Sequence, residues 1–276
     1  MEAQQAIGLF DSGVGGLTVA HALHSLLPEE QLIYYGDTAH LPYGDKSKET
    51  IIGYSLEIAD FLLARGCKLI LIACNSASSN ALEAVKNHVG ERAMVMNVID
   101  PVAGHVLSQA ETIRSVGVIG TKATIRSGAY ERRLLSPVGD DGKPAAQAVS
   151  KLQVSSLATP LFVPMIEEGF VFDDISNAII RAYLSRPELE DIDTLVLGCT
   201  HYPIIRNQIS RFFNFEVNVL DTALIVAQSV KAFLQDKNLL SAGRQAADRF
   251  FVSDHTPYFE VIANMFFNEK IQLEKV

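Results

Sequence analysis

Short apolar runs alternate with longer amphipathic stretches from the start of the chain almost to its end. Ile7–Phe10, Gln31–Tyr35, Leu69–Ala73 and Met94–Ile99 are rich in β-branched residues or leucine and bounded by polar ones, the mark of buried parallel strands. Between them, Leu17–Leu27, Lys48–Arg65 and Ser78–Val89 repeat apolar residues at helical spacing, with Ile51, Ser55, Ile58 and Leu62 tracing one such face. The alternation resumes with a strand at Val116–Gly120, a helix from about Ser127 to Leu135, and a strand at Thr194–Gly198. A helix at Ile204–Phe213, a strand at Glu216–Leu220 and a helix at Leu224–Leu234 follow. Repeated βα units predict an α/β fold of mainly parallel sheets covered by helices. Ser136–Pro144, with Pro137, Gly139, Gly142 and Pro144 among charges, reads as a loop. No low-complexity linker interrupts the pattern, so any domain boundary must run through compact structure.

A faint repeat lies within this alternation. Ile7-Gly8-Leu9-Phe10-Asp11-Ser12-Gly13 is echoed by Val116-Gly117-Val118-Ile119-Gly120-Thr121-Lys122. In the same order, Leu69-Ile70-Leu71-Ile72-Ala73-Cys74-Asn75-Ser76 is echoed by Thr194-Leu195-Val196-Leu197-Gly198-Cys199-Thr200-His201. One copy of each in each half suggests two similar α/β domains facing each other; chance likeness among parallel strands is the alternative.

Composition narrows the picture. With 276 residues the chain can bury a sizeable core. Net charge is −9, from 23 basic against 32 acidic residues, and no basic cluster stands out, so no nucleic-acid partner is expected. Three cysteines in a chain this long do not form a disulfide framework. Met1-Glu2-Ala3-Gln4-Gln5 is polar and leads straight into a strand, so no cleavable signal is expected. No apolar run approaches the roughly 20 residues that span a bilayer. A cytoplasmic protein with reduced thiols and no membrane partner is the expectation.

The chemistry gathers at strand ends, where open α/β sheets bind their ligands. Cys74-Asn75-Ser76 and Cys199-Thr200-His201 each place a thiol between a strand and a helix, a setting that tunes thiol acidity. A single buried cysteine would read as an inert small hydrophobe; twin contexts point instead to one base on either side of a substrate. Cys67, in Arg65-Gly66-Cys67-Lys68, lacks that setting and reads as structural. His201 could cap its helix or take part in catalysis. With no C-x-x-C pair, a zinc site on Cys74, Cys199 and His201 is the weaker alternative.

Asp11-Ser12-Gly13-Val14-Gly15-Gly16 is a glycine-rich turn that brings amides near an anion, or a tight turn with a capping Asp. It matches neither a dinucleotide fingerprint nor a phosphate-binding loop. Thr38–Asp45, which contains Pro42, Tyr43 and Gly44, is a candidate substrate wall, and Gly120-Thr121-Lys122-Ala123-Thr124 is the second-half partner of the Asp11 turn. Glu167 and Glu168 follow the apolar segment Leu161–Ile166, where solvated acids opening a helix are the plain reading.

Together these motifs resemble the cofactor-independent glutamate racemases, within the aspartate/glutamate racemase superfamily. The signatures are Phe10–Gly16, Tyr35-Gly36-Asp37, Pro42-Tyr43-Gly44, Ala73–Ser78, Gly120–Thr124, Phe162-Val163-Pro164 with Glu167-Glu168, and Leu197–Pro203. They run in order from about Ile7 to Asp221. The resemblance implies interconversion of L- and D-glutamate, supplying D-glutamate for peptidoglycan, without cofactor or metal. It implies Cys74 and Cys199 as the acid/base pair, the first serving D-glutamate and the second L-glutamate, assisted by Asp11, Glu167 and His201. Substrate contacts would fall on Asp11, Ser12, Pro42, Tyr43, Gly44, Asn75, Ser76, Thr121, Thr124, Thr200 and His201. The expected architecture is two similar three-layer α/β domains related by a pseudo-twofold, with the site between them. Residues 1–98 plus 216–276 would carry Asp11 and Cys74; residues 99–215 would carry Glu167, Cys199 and His201. A homodimer is expected. Ser76 stands where many members have threonine, and Val252-Ser253-Asp254-His255 matches the family's usual ending only loosely. The N-terminus is expected to lack the extension of members activated by a cell-wall precursor. A racemase for aspartate, or a binding protein that kept the fold, are the alternative readings.

Overall fold

A computed structural model describes residues 1–136 and 152–276 of the chain. Its strands form two sheets, and every pairing is parallel. The first sheet contains β1 (Ile7–Asp11), β2 (Leu32–Gly36), β3 (Leu69–Ile72), β4 (Met94–Asn97), β9 (Arg249–Val252) and β10 (Leu273–Lys275). Their order is β10-β9-β2-β1-β3-β4. The second contains β5 (Ser115–Gly120), β6 (Gln153–Ala158), β7 (Thr194–Gly198) and β8 (Asn218–Val219), in the order β6-β5-β7-β8. The sequence echo has a topological counterpart. β1 lies between β2 and the Cys74 strand β3, as β5 lies between β6 and the Cys199 strand β7.

Helices cover both sheets: α1 (Leu17–Leu26), α2 (Lys48–Leu63), α3 (Asn75–Val89) and α4 (Ile99–Ser108) in the first part of the chain. There follow α5 (Lys122–Ser127), α6 (Ala129–Leu135), α7 (Phe162–Glu167), α8 (Asp174–Leu184), α9 (Arg206–Phe212), α10 (Thr222–Asp236) and α11 (Pro257–Phe267). Strand periodicity sends Phe10, Ile70 and Ile72 into a core with Ile51, Ile58 and Leu62 of α2. Ile7, Leu9, Leu69 and Leu71 face the other way, onto α1. That second core continues through Val102 of α4 and Val226 and Val230 of α10 to Val116, Val118, Leu195 and Leu197 of the second sheet. The two sheets therefore share one apolar mass.

Several boundaries differ from the sequence expectation, each for a local reason. The strand expected over Met94–Ile99 ends at Asn97, whose Oδ1 accepts from the amides of Ile99 (2.7 Å) and Asp100 (2.9 Å) and starts α4. α3 begins at Asn75, ahead of the expected Ser78, because Cys74 is its N-cap: Sγ accepts from the Ala77 amide at 3.5 Å. The helix expected from about Ser127 begins at Ala129 as α6, because Gly128, whose φ of 63° favours glycine, separates it from the preceding α5. Strand β8 pairs with β7 in the second sheet, and the chain rejoins the first sheet only at β9. The loop expected over Ser136–Pro144 lies, beyond Ser136, outside the described residues.

Candidate active site

β1, β3 and β7 deliver their carboxyl ends to one place. Asp11 closes β1 and is fully buried; its Oδ1 accepts from the Gly13 amide at 3.1 Å, and its Oδ2 from the Thr200 hydroxyl at 3.3 Å. This carboxylate organises the glycine turn and does not cap α1, whose N-cap is Gly16 without a side-chain bond. Tyr34 donates to the Gly13 carbonyl at 2.7 Å, fixing the turn from beneath. After β3, Cys74 contacts the Ser12 hydroxyl at 3.6 Å. After β7, Cys199 lies 3.8 Å from His201 Nδ1, and His201 Nε2 meets Glu167 Oε1 at 2.9 Å.

Both thiols line a small cavity of about 30 Å³, room for roughly one or two waters. Cys74, Asn75 and Ser76 line one side; Cys199, Thr200, His201 and Glu167 line the other. Ser12, Pro42, Tyr43, Gly44 and Thr121 complete it, so most of the expected site residues share this one pocket. Asp11 and Thr124 do not line it. Asp11 sits behind the glycine turn, and Thr124 bonds Thr121 Oγ1 at 3.1 Å and Ser76 Oγ at 3.5 Å. Gly13, Leu41 and Val163 also line the cavity, and only their neighbours in sequence pointed to them.

The two sides differ electrostatically. Burial, aided by the charge of Asp11, pushes the Cys74 thiol up to about 12, so at neutral pH it keeps its proton. Burial likewise raises the Asp11 carboxyl, opposed by the charge of His201 and by bonds from Gly16, Gly13 and Thr200. For His201 burial pulls down, yet bonds to Cys199 and Glu167 prevail and lift it to about 10. Cys67 is buried, its thiol pushed up to about 12 by burial, and it packs against Gly8 away from the cavity.

Glu167 is not the solvated helix-opening acid that its sequence context suggests. It is the last residue of α7, and its carboxylate turns inward to His201 with 23% of the side chain exposed. The expected apolar segment is the helix itself, so the acids stand at its end. Among the described residues no three His, Cys, Asp or Glu side chains converge as metal ligands, and no helix is long and apolar enough to cross a membrane.

Polar contacts and close approaches seal the two halves around the cavity. Ser76 and Thr121 hydroxyls meet at 2.9 Å, Tyr130 donates to Asn75 Oδ1 at 2.8 Å, and Thr18 donates to the Thr200 carbonyl at 3.0 Å. A Cβ added at Gly15 would lie 2.4 Å from His201, and one at Gly44 2.9 Å from Thr121. The Pro42–Gly44 wall is held by Asp37, which accepts from Tyr43 (2.5 Å) and Ser253 (2.8 Å) and bonds His40 (2.9 Å). Sequence reasoning gave Tyr130 no task, and Asp37 and Ser253 entered only within the stretches Tyr35-Gly36-Asp37 and Val252-Ser253-Asp254-His255, without this role.

Residues 17–230 match the Asp/Glu/Hydantoin racemase family. A glutamate racemase of Geobacter metallireducens is 42% identical over 270 residues, covering 97% of this chain and 94% of that protein. The crystal structure of a glutamate racemase from Francisella tularensis in complex with D-glutamate superposes with a TM-score of 0.87 at 36% identity, covering 99% of this chain and 98% of that one. A glutamate racemase isoform from Bacillus anthracis gives 0.88 at 32%, covering 100% and 98%. Twin strand-end thiols facing one closed pocket thus sit in a fold and sequence shared along almost the whole length of these enzymes, and the chain belongs to the Asp/Glu/Hydantoin racemase family.

Proposed function

We propose that this protein is a glutamate racemase, an isomerase in which one cysteine takes the α-proton of glutamate and a second cysteine gives its own proton to the opposite face. The observation that carries the reading is the pair of thiols, one from each half, lining a single cavity. Racemisation removes a proton from one face of the α-carbon and returns one to the other, so one base per face is the minimal arrangement. With L-glutamate bound, Cys199 as thiolate takes the α-proton while Cys74 gives its own to the opposite face. The run ends with Cys199 as thiol and Cys74 as thiolate, and D-glutamate reverses each step.

The surroundings suit these roles. Cys74, deeply buried beside Asp11, holds its proton at rest, ready to donate. His201, held charged by Glu167 and Cys199, offsets negative charge on its side. Hydroxyls and amides of Ser12, Asn75, Ser76, Thr121 and Thr200 supply fixed donors for the carboxylates, and such preorganised dipoles stabilise developing charge most where water is excluded. The cavity is lined from both halves, so a parting of the halves would admit glutamate and their closing would bring both thiols to it. We further propose that the enzyme works in the cytoplasm and supplies D-glutamate for peptidoglycan.

Incubating pure L- or D-glutamate in deuterated water tests this directly. Optical activity should decay while deuterium enters only the α-position. Unchanged optical rotation, with aspartate racemised instead, would overturn the assignment.

A further inference from the structure

α11 is anchored on the first sheet's half of the molecule. It follows β9, packs on α1, and its Phe267 ring meets Phe250 of β9 at 5.0 Å. Thr256 caps its N-terminus through the Phe259 amide, and Asn264 accepts from Ile271 at 2.8 Å to hold the return into β10. Yet two of its residues reach the other half. Tyr258 donates to the main-chain carbonyl of Glu167, and the Phe266 ring stands edge-on to His201, centroids 5.0 Å apart.

These contacts meet a specific local need. The last carbonyls of a helix have no partner within it, and α7 is only six residues long, ending at Glu167. The amides that follow go to Pro164, Ile166 and Met165, so the Tyr258 hydroxyl is what holds the Glu167 carbonyl. Its backbone fixed, the Glu167 carboxylate can keep its 2.9 Å bond to His201. Phe266 packs edge-on against the imidazole itself.

We propose that α11 is a positioning strut, in which Tyr258 and Phe266 hold Glu167 and His201 in register with Cys199 only while the halves are closed. The inference rests on the racemase reading for its effect on rate, but the geometry it describes is separately measurable. The groups facing His201 are Cys199 and Glu167, with Asp11 near enough behind the glycine turn to feel its charge; Glu168 lies near Tyr258. None of these is altered by Tyr258→Phe, which removes one hydroxyl from a residue 46% exposed.

The experiment titrates the His201 imidazole by NMR in the full chain with labelled histidine, assigned by the signal missing in His201→Gln. In Tyr258→Phe the loosened Glu167 should weaken its hold on the imidazolium and lower the His201 midpoint by about one unit. The alkaline limb of kcat/KM should move down with it, while far-ultraviolet circular dichroism stays that of the parent. A His201 titration and pH profile superposable on the parent would overturn the strut. If the parent itself fails to racemise glutamate, the functional reading falls, and the titration still decides the positioning.

Discussion

Gly15→Ala probes how tightly the two halves must meet. Gly15 is not among the glycines with positive φ, so alanine meets no backbone strain there. Its cost is contact alone. The new Cβ would lie 2.4 Å from His201 Cε1 and Nδ1 and 2.7 Å from Thr200 Oγ1. His201 cannot swing aside without leaving Cys199 and Glu167, and the Thr200 hydroxyl is bonded to Asp11. Ordinary contact would require the ring or the loop to retreat by about 1 Å, a misplacement that costs on the order of 10²-fold in rate. Forced overpacking also costs about 1–3 kcal/mol, but here the halves can relieve it by staying apart. Activity should therefore fall much further than stability. The assay is polarimetric racemisation from both enantiomers, with urea unfolding alongside. Enantiomers have equal free energy in water, so kcat/KM must fall equally in the two directions. A Gly15→Ala protein within about threefold of the parent in kcat/KM, a loss of under 1 kcal/mol, would refute the claim that this approach sets the closed geometry.

Three further outcomes are expected. Cys74→Ala and Cys199→Ala should each abolish net racemisation, and near-parent conversion of L- to D-glutamate by either variant would end the two-thiol scheme. Raised from 6.5 to about 10 in the fold, His201 contributes stability that is full below its unfolded value and lost as pH climbs through its folded one. The urea midpoint should thus decline between about pH 7 and 10, and less so in His201→Gln; parallel declines would discount the Glu167–His201 pairing. Gly53 lies exposed within α2 with open space around its added Cβ, so Gly53→Ala should raise stability by about 0.5–1 kcal/mol, read from the shift in urea midpoint.

What the sequence made legible was whatever repeats or alternates. The β1, β3, β5 and β7 runs are mainly apolar and almost wholly buried on both faces, and the thiols at the ends of β3 and β7 stood out because there were two of them. β6 was missed because Val154-Ser155-Ser156-Leu157 lies at an edge and is only half-buried, so it needs no apolar run. α11 was missed because its meaning lies in contacts with α7 and His201, far away in sequence. Glu167 was misplaced for a related reason. A pair of acids after apolar residues looks the same whether it opens one helix or closes another, and only the turn of α7 decides which way the carboxylate faces.

The matched placement of β3 beside β1 and β7 beside β5 carries a geometric restriction of its own. A rotation never converts a hand into its mirror image, so no twofold relation between the halves can by itself present one enantiomer to each thiol in equivalent surroundings. Doubling a βα unit can set two sulfurs across a carbon; the rest must come from breaking the likeness. The divergence is visible in what each sulfur touches: Ser12 and the Ala77 amide around Cys74, an imidazole backed by a carboxylate beside Cys199. On the proposed scheme, the unlike neighbours are what let a near-symmetric scaffold handle a chiral molecule, and restoring the resemblance, by placing a histidine after Cys74 or removing the one after Cys199, would work against the chemistry.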